Sequence, residues 1–375
     1  MKLSPIEVLT VYYAPEQGRR RRVGRLASKG RRILFEYDPA FLASGLELSP
    51  FKLRLKRGVL RGEPDKFDGL MGVFEDSLPD GWGRRLLDRR IAQEGLMPED
   101  LGPLDRLAWV GARSMGALVY EPELGGQTPT VIQLRKVAEE TQRVLHDVEG
   151  PDLDRLLMLG GSPQGARPKA LVQIGADPKV VYGADEILTR MLGRTKKHRG
   201  YFGLRRFDRA GPRRIHLHTF CGLMHAPPAT TSVTYRDLLL ATRELTRDES
   251  MVTEMFRRAC FNVFAHNRDD HTKNFSFLMD EDGTWRVSPA YDLTFSRGPG
   301  GEHTLLVGTE GKNPTAEHLR ALARDLDIKR TAAVIDAVRA GIDRFRELAD
   351  EAELPAKVRE RVAKAIGLAP RRRAH

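Results

Sequence analysis

The chain has 375 residues, enough for two or three domains, and its 41% hydrophobic and 30% charged content fits a water-soluble globular protein. Lys and Arg outnumber Asp and Glu by 62 to 51, a formal net charge of +11, so clustered basic side chains are expected to attract phosphate in nucleic acid, tRNA or nucleotide. No apolar run approaches the roughly 18 residues of a membrane span, residues 1–7 lack a leader's apolar core, and Cys221 and Cys260 are the only cysteines; the expectation is a cytoplasmic chain with two buried thiols rather than a membrane span or a disulfide framework.

In chain order, residues 6–60 read as short strands. Residues 8–13 and 33–37 are rich in β-branched and aromatic side chains, with Gly and Pro as punctuation. The basic run Arg19 to Arg22 is a candidate phosphate-attracting patch. Residues 78–83 form a turn leading into a short helix over 84–93. Residues 125–129 look like a linker, and 131–148 have helical periodicity. The Gly-rich stretch 160–165 cannot be regular structure. It leads into a strand over 169–174, whose hairpin partner is 179–182 after the turn at 175–178. Residues 201–207 suit another strand. From about Tyr235 the pattern is helical, over 235–246, 251–266, 316–326 and 331–348. The sequence of a β-rich part, a Gly-rich loop with strands, and then helices points to an α+β class with separate lobes rather than a parallel sheet.

The segment carrying the chemistry follows the helix over 251–266, whose Val252, Met255, Phe256, Ala259, Cys260, Val263 and Phe264 form one apolar face. That helix runs into the polar loop Asn267-Arg268-Asp269-Asp270-His271-Thr272-Lys273-Asn274. A strand over 275–278, a turn at 280–283 and a return over 285–288 end at Asp292. Phosphoryl transfer needs a carboxylate to accept a hydroxyl proton, and oxygen ligands for Mg²⁺ on the nucleotide phosphates. Arg-Asp followed by four residues and Asn, with a second Asp eighteen positions later, has that pattern. Asp269 is then the candidate base, and Asn274 and Asp292 are the candidate Mg²⁺ ligands. Two other readings stay open: a polar surface loop of capping residues, and a transition-metal site of His266, Asp269, Asp270 and His271 serving a metal-dependent hydrolase. His303 and His318 read as surface residues, and His216, His218 and His225 as satisfied structural ones. The Gly-rich stretch, 160–169, lets backbone N–H groups turn toward phosphate but lacks a Walker A ending.

The chain resembles the HipA family, toxin kinases of type II toxin–antitoxin pairs. The matching blocks are Gly-Gly-Ser-Pro-Gln-Gly-Ala-Arg-Pro-Lys-Ala at 160–170, Arg-Arg-Phe-Asp-Arg at 205–209, Ala-His-Asn-Arg-Asp-Asp-His-Thr-Lys-Asn-Phe at 265–275 and Ser-Pro-Ala-Tyr-Asp-Leu at 288–293. Phe-Glu-Asp-Ser-Leu-Pro-Asp-Gly-Trp at 74–82 looks like part of the family's N-terminal domain. The resemblance implies a two-lobed, protein-kinase-like α+β fold. Its parts are a β-rich N-terminal subdomain over 1–125, a small kinase lobe with Gly-rich loop and hinge over 126–208, and a mostly helical catalytic lobe over 209–375. It implies ATP and Mg²⁺ as cofactors, with nucleotide contacts at Gly161, Ser162, Gly165, Lys169, Arg205, Phe207 and His271. It also implies autophosphorylation at Ser162, a protein Ser substrate such as an aminoacyl-tRNA synthetase, a HipB-like antitoxin and operator DNA reached through it. The small lobe departs from the family pattern. Between Leu171 and the hinge at Arg205 no further lysine-bearing apolar strand is read, and the lobe looks shortened near Leu188 and Thr189. A pseudokinase that keeps the fold and its antitoxin partnership is therefore a second expectation.

Overall fold

The computed structural model describes residues 5–30, 32–124, 134–148, 150–160, 168, 173–174, 181–182, 190–192, 201–203, 205–228 and 233–369. It divides into two compact units. The first runs to His218 and takes in Leu278–Gly283, and the second comprises Thr219–Phe277 and the chain from Thr284 onward.

The first unit is built on a five-stranded antiparallel sheet. Its strands are β1 (Val8–Glu16), β2 (Arg19–Lys29), β3 (Arg32–Tyr37), β4 (Val59–Arg61) and β5 (Leu118–Glu121), in the order β4-β3-β2-β1-β5. Alternation along β1 buries Leu9, Val11 and Tyr13 on one face. Phe35 of β3 lies on the same core, 4.7 Å from the Tyr37 ring and 4.9 Å from Phe74. Gly24 of β2 is where two strands press together, since a Cβ there would lie 2.2 Å from the Glu36 carbonyl oxygen. The basic run Arg19 to Arg22 begins β2, and carboxylates meet it. Arg19 lies 3.4 Å from Glu16 and 3.3 Å from Glu281, Arg20 pairs with Glu121, and Arg22 lies 3.6 Å from Asp38. Arg20 and Arg21 also cover the rings of Tyr12 and Tyr13. The run is therefore largely an ion-paired strand rather than an open phosphate patch.

Beside the sheet is a helical core. Helices α1 (Gly81–Ala92), α2 (Leu134–Leu145) and α3 (Leu153–Gly160) bury Trp82, Leu86, Leu87, Ile91, Val144 and Leu156 together. Arg85 and Arg89 of α1 each donate to the Val144 carbonyl at 3.1 Å, which also accepts the Asp147 N–H at 3.3 Å, tying α1 to the end of α2. In the Gly-rich region, Gln173–Ile174 pairs with Val181–Tyr182 as the turn chemistry predicts, and Tyr201–Gly203 pairs with Arg190–Leu192. The lysine-bearing strand sought between loop and hinge, and the shortening near Leu188 and Thr189, concern segments that lie mostly outside the described residues.

The second unit is mostly helical. It contains α4 (Tyr235–Thr246), α5 (Glu249–Phe264), α6 (Ala316–Asp325), α7 (Thr331–Asp343), α8 (Phe345–Glu351) and α9 (Ala356–Ala365). The periodicity that predicts one helix over 331–348 is interrupted at Arg344, so two helices form. Both cysteines are buried free thiols, and burial pushes Cys260 up to about 12. Among the described residues no helix is long and apolar enough to cross a membrane.

One buried ion cluster fixes the end of the first unit. Asp208, fully buried, receives Arg206 Nε at 2.8 Å, Arg209 Nη1 at 2.7 Å and the Gly116 backbone N–H at 2.8 Å. Burial alone would raise its pKa, but Arg206, then Arg209 and the Gly116 amide, hold it at about 2. Its folded value is depressed, so the stabilisation is present above its unfolded value of about 4 and is lost as pH falls toward the folded one. Asp208→Ala is expected to cost about 3–5 kcal/mol at pH 7, because buried guanidinium groups lose their partner. In urea unfolding at stepped pH, that deficit should shrink below about pH 4.

Candidate active site

The site segment lies in the second unit. Asp248 caps α5 by accepting the Ser250 N–H at 2.8 Å, and the helix buries Val252, Met255, Phe256, Ala259, Cys260 and Val263, as the periodicity predicts. It stops at Ala265. The next residue, His266, takes φ 50°, which turns the chain out of the helix. Burial, with Arg268 and His303 beside it, pushes the His266 imidazole below its usual value.

The loop that follows closes on itself. The Asn274 side-chain amide donates to the Asp269 carbonyl at 2.6 Å, and the Asn274 backbone N–H donates to the His271 carbonyl at 2.9 Å. Thr272 Oγ1 donates to the Ala226 carbonyl at 2.8 Å and pins the short turn Thr272–Asn274. The Asp269 side chain is exposed, with His271 Nε2 3.9 Å from its Oδ1, and His271 Nδ1 is buried without a hydrogen-bond partner.

The hairpin of β6 (Ser276–Met279) and β7 (Trp285–Val287) leaves this loop, and Gly283 makes its turn at φ 88°. Arg258 of α5 donates to the Ser288 carbonyl at 2.6 Å, tying the return strand to the helix. Tyr291 Oη then reaches back, donating to the Lys273 carbonyl at 2.6 Å and lying 2.5 Å from Ser276 Oγ. The residue before Asp292 is thus bonded to the residue before Asn274. Asp292 itself is exposed and takes the left-handed conformation at φ 52°, which Asp tolerates better than most residues.

Adjacent carboxyl groups of the loop have opposite fates. Asp269 faces solvent, while Asp270 is fully buried and accepts from Tyr235 Oη at 2.6 Å, His303 Nδ1 at 2.8 Å and the Thr304 backbone N–H at 2.8 Å. Burial, and then the Asp270 carboxyl group, push the Tyr235 phenol well above its usual range, so it remains a donor. This overturns two expectations. His303 is buried rather than superficial. His266, Asp269, Asp270 and His271 do not gather around one point, and among the described residues no group of three or more His, Cys, Asp or Glu forms a metal cluster.

The other expected residues fall as follows. Gly161, Ser162, Gly165 and Lys169 lie outside the described residues. Arg205 is exposed and Phe207 half-buried, next to the Asp208 cluster in the first unit. His218 is buried against Asp76 at 2.5 Å and Ser49 at 3.0 Å, and His216 against the Leu48 carbonyl at 2.9 Å. His225 is buried at the end of a short helix, in the left-handed conformation. All three are buried, and His218, bonded at both ring nitrogens, has the satisfied structural character expected of it.

Residues 18–121 match the family model of the HipA N-terminal domain, and residues 182–348 match that of the HipA-like C-terminal domain. Two Sinorhizobium fredii proteins named as candidate kinases are similar. Y4mE is 32% identical over 226 residues, covering 55% of this chain and 52% of that protein, and Y4dM is 29% identical over 169 residues, covering 42% and 40%. The chain thus spans about half or less of the length of these curated relatives. Among solved structures, the HipA complex with HipB and operator DNA from Shewanella oneidensis MR-1 contains a chain of the same fold. The TM-score is 0.64 at 16% identity, covering 96% of this chain and 94% of that one.

Tyr291→Phe removes only the hydroxyl that joins Asp292's segment to the loop. It is expected to cost about 1–2 kcal/mol in denaturant unfolding, because the Lys273 carbonyl and Ser276 hydroxyl lose a partner.

Proposed function

The chain belongs to the HipA family, and we propose that it is a HipA-like kinase that transfers the γ-phosphate of ATP to a serine hydroxyl of a protein. The observation that carries this reading is the bond from the Asn274 amide to the Asp269 carbonyl at 2.6 Å, with Tyr291 holding Asp292's segment to the Lys273 carbonyl. A base candidate and two oxygen ligands thereby sit on one short, cross-braced stretch of chain.

The residues suit Mg²⁺ by their donor chemistry. Carboxylate and amide oxygens are hard ligands, and Asn274 spends its N–H on the backbone, which leaves its oxygen for a cation. Asn274 and Asp292 would hold the ion. Mg²⁺ bound to the triphosphate supplies neutralisation of the charge that develops on the transferred group. The exposed Asp269 carboxyl group accepts the proton of the attacking hydroxyl. As the new O–P bond forms, the bond to the bridging oxygen breaks and ADP leaves. Gly161, Ser162, Gly165 and Lys169 are proposed to contact the phosphates, Arg205 and Phe207 the base, and His271 the nucleotide. Ser162 is proposed as the site of autophosphorylation.

The Shewanella protein was solved with HipB and its operator DNA. By that likeness, a HipB-like antitoxin and operator DNA are proposed as partners here, with an aminoacyl-tRNA synthetase as the protein substrate. The second reading, a pseudokinase that keeps the fold and its antitoxin or DNA partnership but transfers phosphate poorly, is favoured by the sequence between Leu171 and Arg205, in which no further lysine-bearing apolar strand is read.

Transfer from γ-labelled ATP separates the two, since label on Ser162 or on a substrate protein supports the kinase and nucleotide binding without label supports the second reading. Asp269→Asn should lower transfer by about 100- to 10,000-fold, with stability changed by no more than about 0.5 kcal/mol at this exposed position. Undiminished transfer would remove Asp269 from the role of base. Asp292→Asn, which suits the left-handed backbone, should reduce the melting-temperature rise given by Mg²⁺ and ATP, because the rise follows the nucleotide Kd. An unchanged rise would count against Asp292 as a ligand.

A further inference from the structure

The Asp269 side chain faces solvent, and the residues on either side of it are anchored by a buried network. Asn267 Nδ2 donates to Asn262 Oδ1 at 3.0 Å, Asn262 Nδ2 donates to Tyr235 Oη at 3.0 Å, and Tyr235 Oη donates to Asp270 Oδ2 at 2.6 Å. His303 Nδ1 donates to the same Asp270 oxygen at 2.8 Å, while the Thr304 N–H donates to the other at 2.8 Å. Tyr235, Asn262, Asn267, Asp270 and His303 are all at most 4% exposed. On the other side of Asp269, Arg268 donates to the carbonyls of Gly301 at 2.6 Å and Lys312 at 3.0 Å, and Thr304 Oγ1 donates to the Arg268 carbonyl at 3.3 Å.

Both residues that flank Asp269 are therefore anchored on one segment, Gly298 to Lys312. Gly298 brings that segment against the loop at φ 69°, where a Cβ would lie 2.7 Å from Arg268 Cβ. With Arg268 and Asp270 both committed to it, the backbone leaves Asp269 to face solvent. A buried polar network of this kind has few alternative arrangements, because each lost bond strands a donor or an acceptor.

We propose that Asp270 and His303 are positioning residues for phosphoryl transfer: they fix Asp269 in its outward orientation by locking the 298–312 segment onto the catalytic loop. This rests on the reading of Asp269 as the base. Asp270 touches no reacting atom and acts through its neighbour. The Asp270 side chain offers two acceptor oxygens to three donors, whereas asparagine offers one oxygen and a competing N–H. His303→Asn keeps a donor at the Nδ1 position, because the amide nitrogen stands the same number of bonds from Cβ, and His303→Ala removes it.

The test is steady-state kinetics together with hydrogen exchange on the full chain. Asp270→Asn and His303→Ala should lower kcat by roughly 30- to 100-fold, the scale of a small misplacement of a catalytic group. The KM for ATP should stay within about twofold, since transition-state positioning and not nucleotide binding is lost. His303→Asn should recover most of kcat. In an Asp269→Asn background, adding Asp270→Asn should have no further effect on kcat. Additive losses in that double variant, or an unchanged kcat in Asp270→Asn, would overturn the proposal. Exchange separates this claim from the kinase reading. Amides 268–274 should exchange at least about tenfold faster in Asp270→Asn and His303→Ala, with α7 unaffected. If the unaltered chain neither binds nor transfers phosphate, the kinase reading falls, and faster exchange confined to 268–274 still supports the lock. Unchanged exchange there would sink the lock whatever the activity.

Discussion

A carboxyl group sealed from water imposes the strictest constraint in the second unit. Asp270 must be met by Tyr235, His303 and the Thr304 amide, because a buried acceptor without donors is among the costliest defects a fold can carry. Meeting it fixes where α4, the loop after α5 and the segment around His303 stand with respect to one another. The first unit has its own version at Asp208, where three Arg and backbone groups converge on one buried acid. In each unit the apolar core supplies most of the burial, and one polar junction sets the register of the loops around it.

Much of this architecture is legible in the sequence where the signal is local. The face of α5, the helix Tyr235–Thr246, the hairpin that begins at Ser276 and the pairing of Gln173–Ile174 with Val181–Tyr182 all follow from periodicity or turn chemistry. Strands β2 and β5 are less visible. Four consecutive arginines open β2, where Glu16, Glu281, Glu121 and Asp38 meet Arg19, Arg20 and Arg22, and Arg21 lies over Tyr13. Strand β5 is short and gains its place from β1, more than a hundred residues earlier.

The site divides in the same way. The Asp-Asn spacing and the following hairpin single out Asp269, Asn274 and Asp292, and the structure closes the loop between the first two. The spacing picks out Asp269, but it does not show that its neighbour Asp270 is buried, because which of two adjacent aspartates faces inward is decided only by the folded chain. His303 reads as superficial because it stands among Gly, Glu and Thr. Its burial depends on Asp270, thirty-three positions away. The fixed surroundings of Asp269 are thus a property of the folded network that no short motif carries.

The direction of the Asn274 amide has a consequence for residue choice. An aspartate at this position would have nearly the same shape but carry a full negative charge. Yet one of its oxygens would have to lie where the amide nitrogen now meets the Asp269 carbonyl at 2.6 Å, oxygen against oxygen. The side chain would swing away and the loop would open at its narrowest point. A neutral amide can hold the Asp269 carbonyl through its N–H, which an ionised acid, with acceptors alone, cannot do.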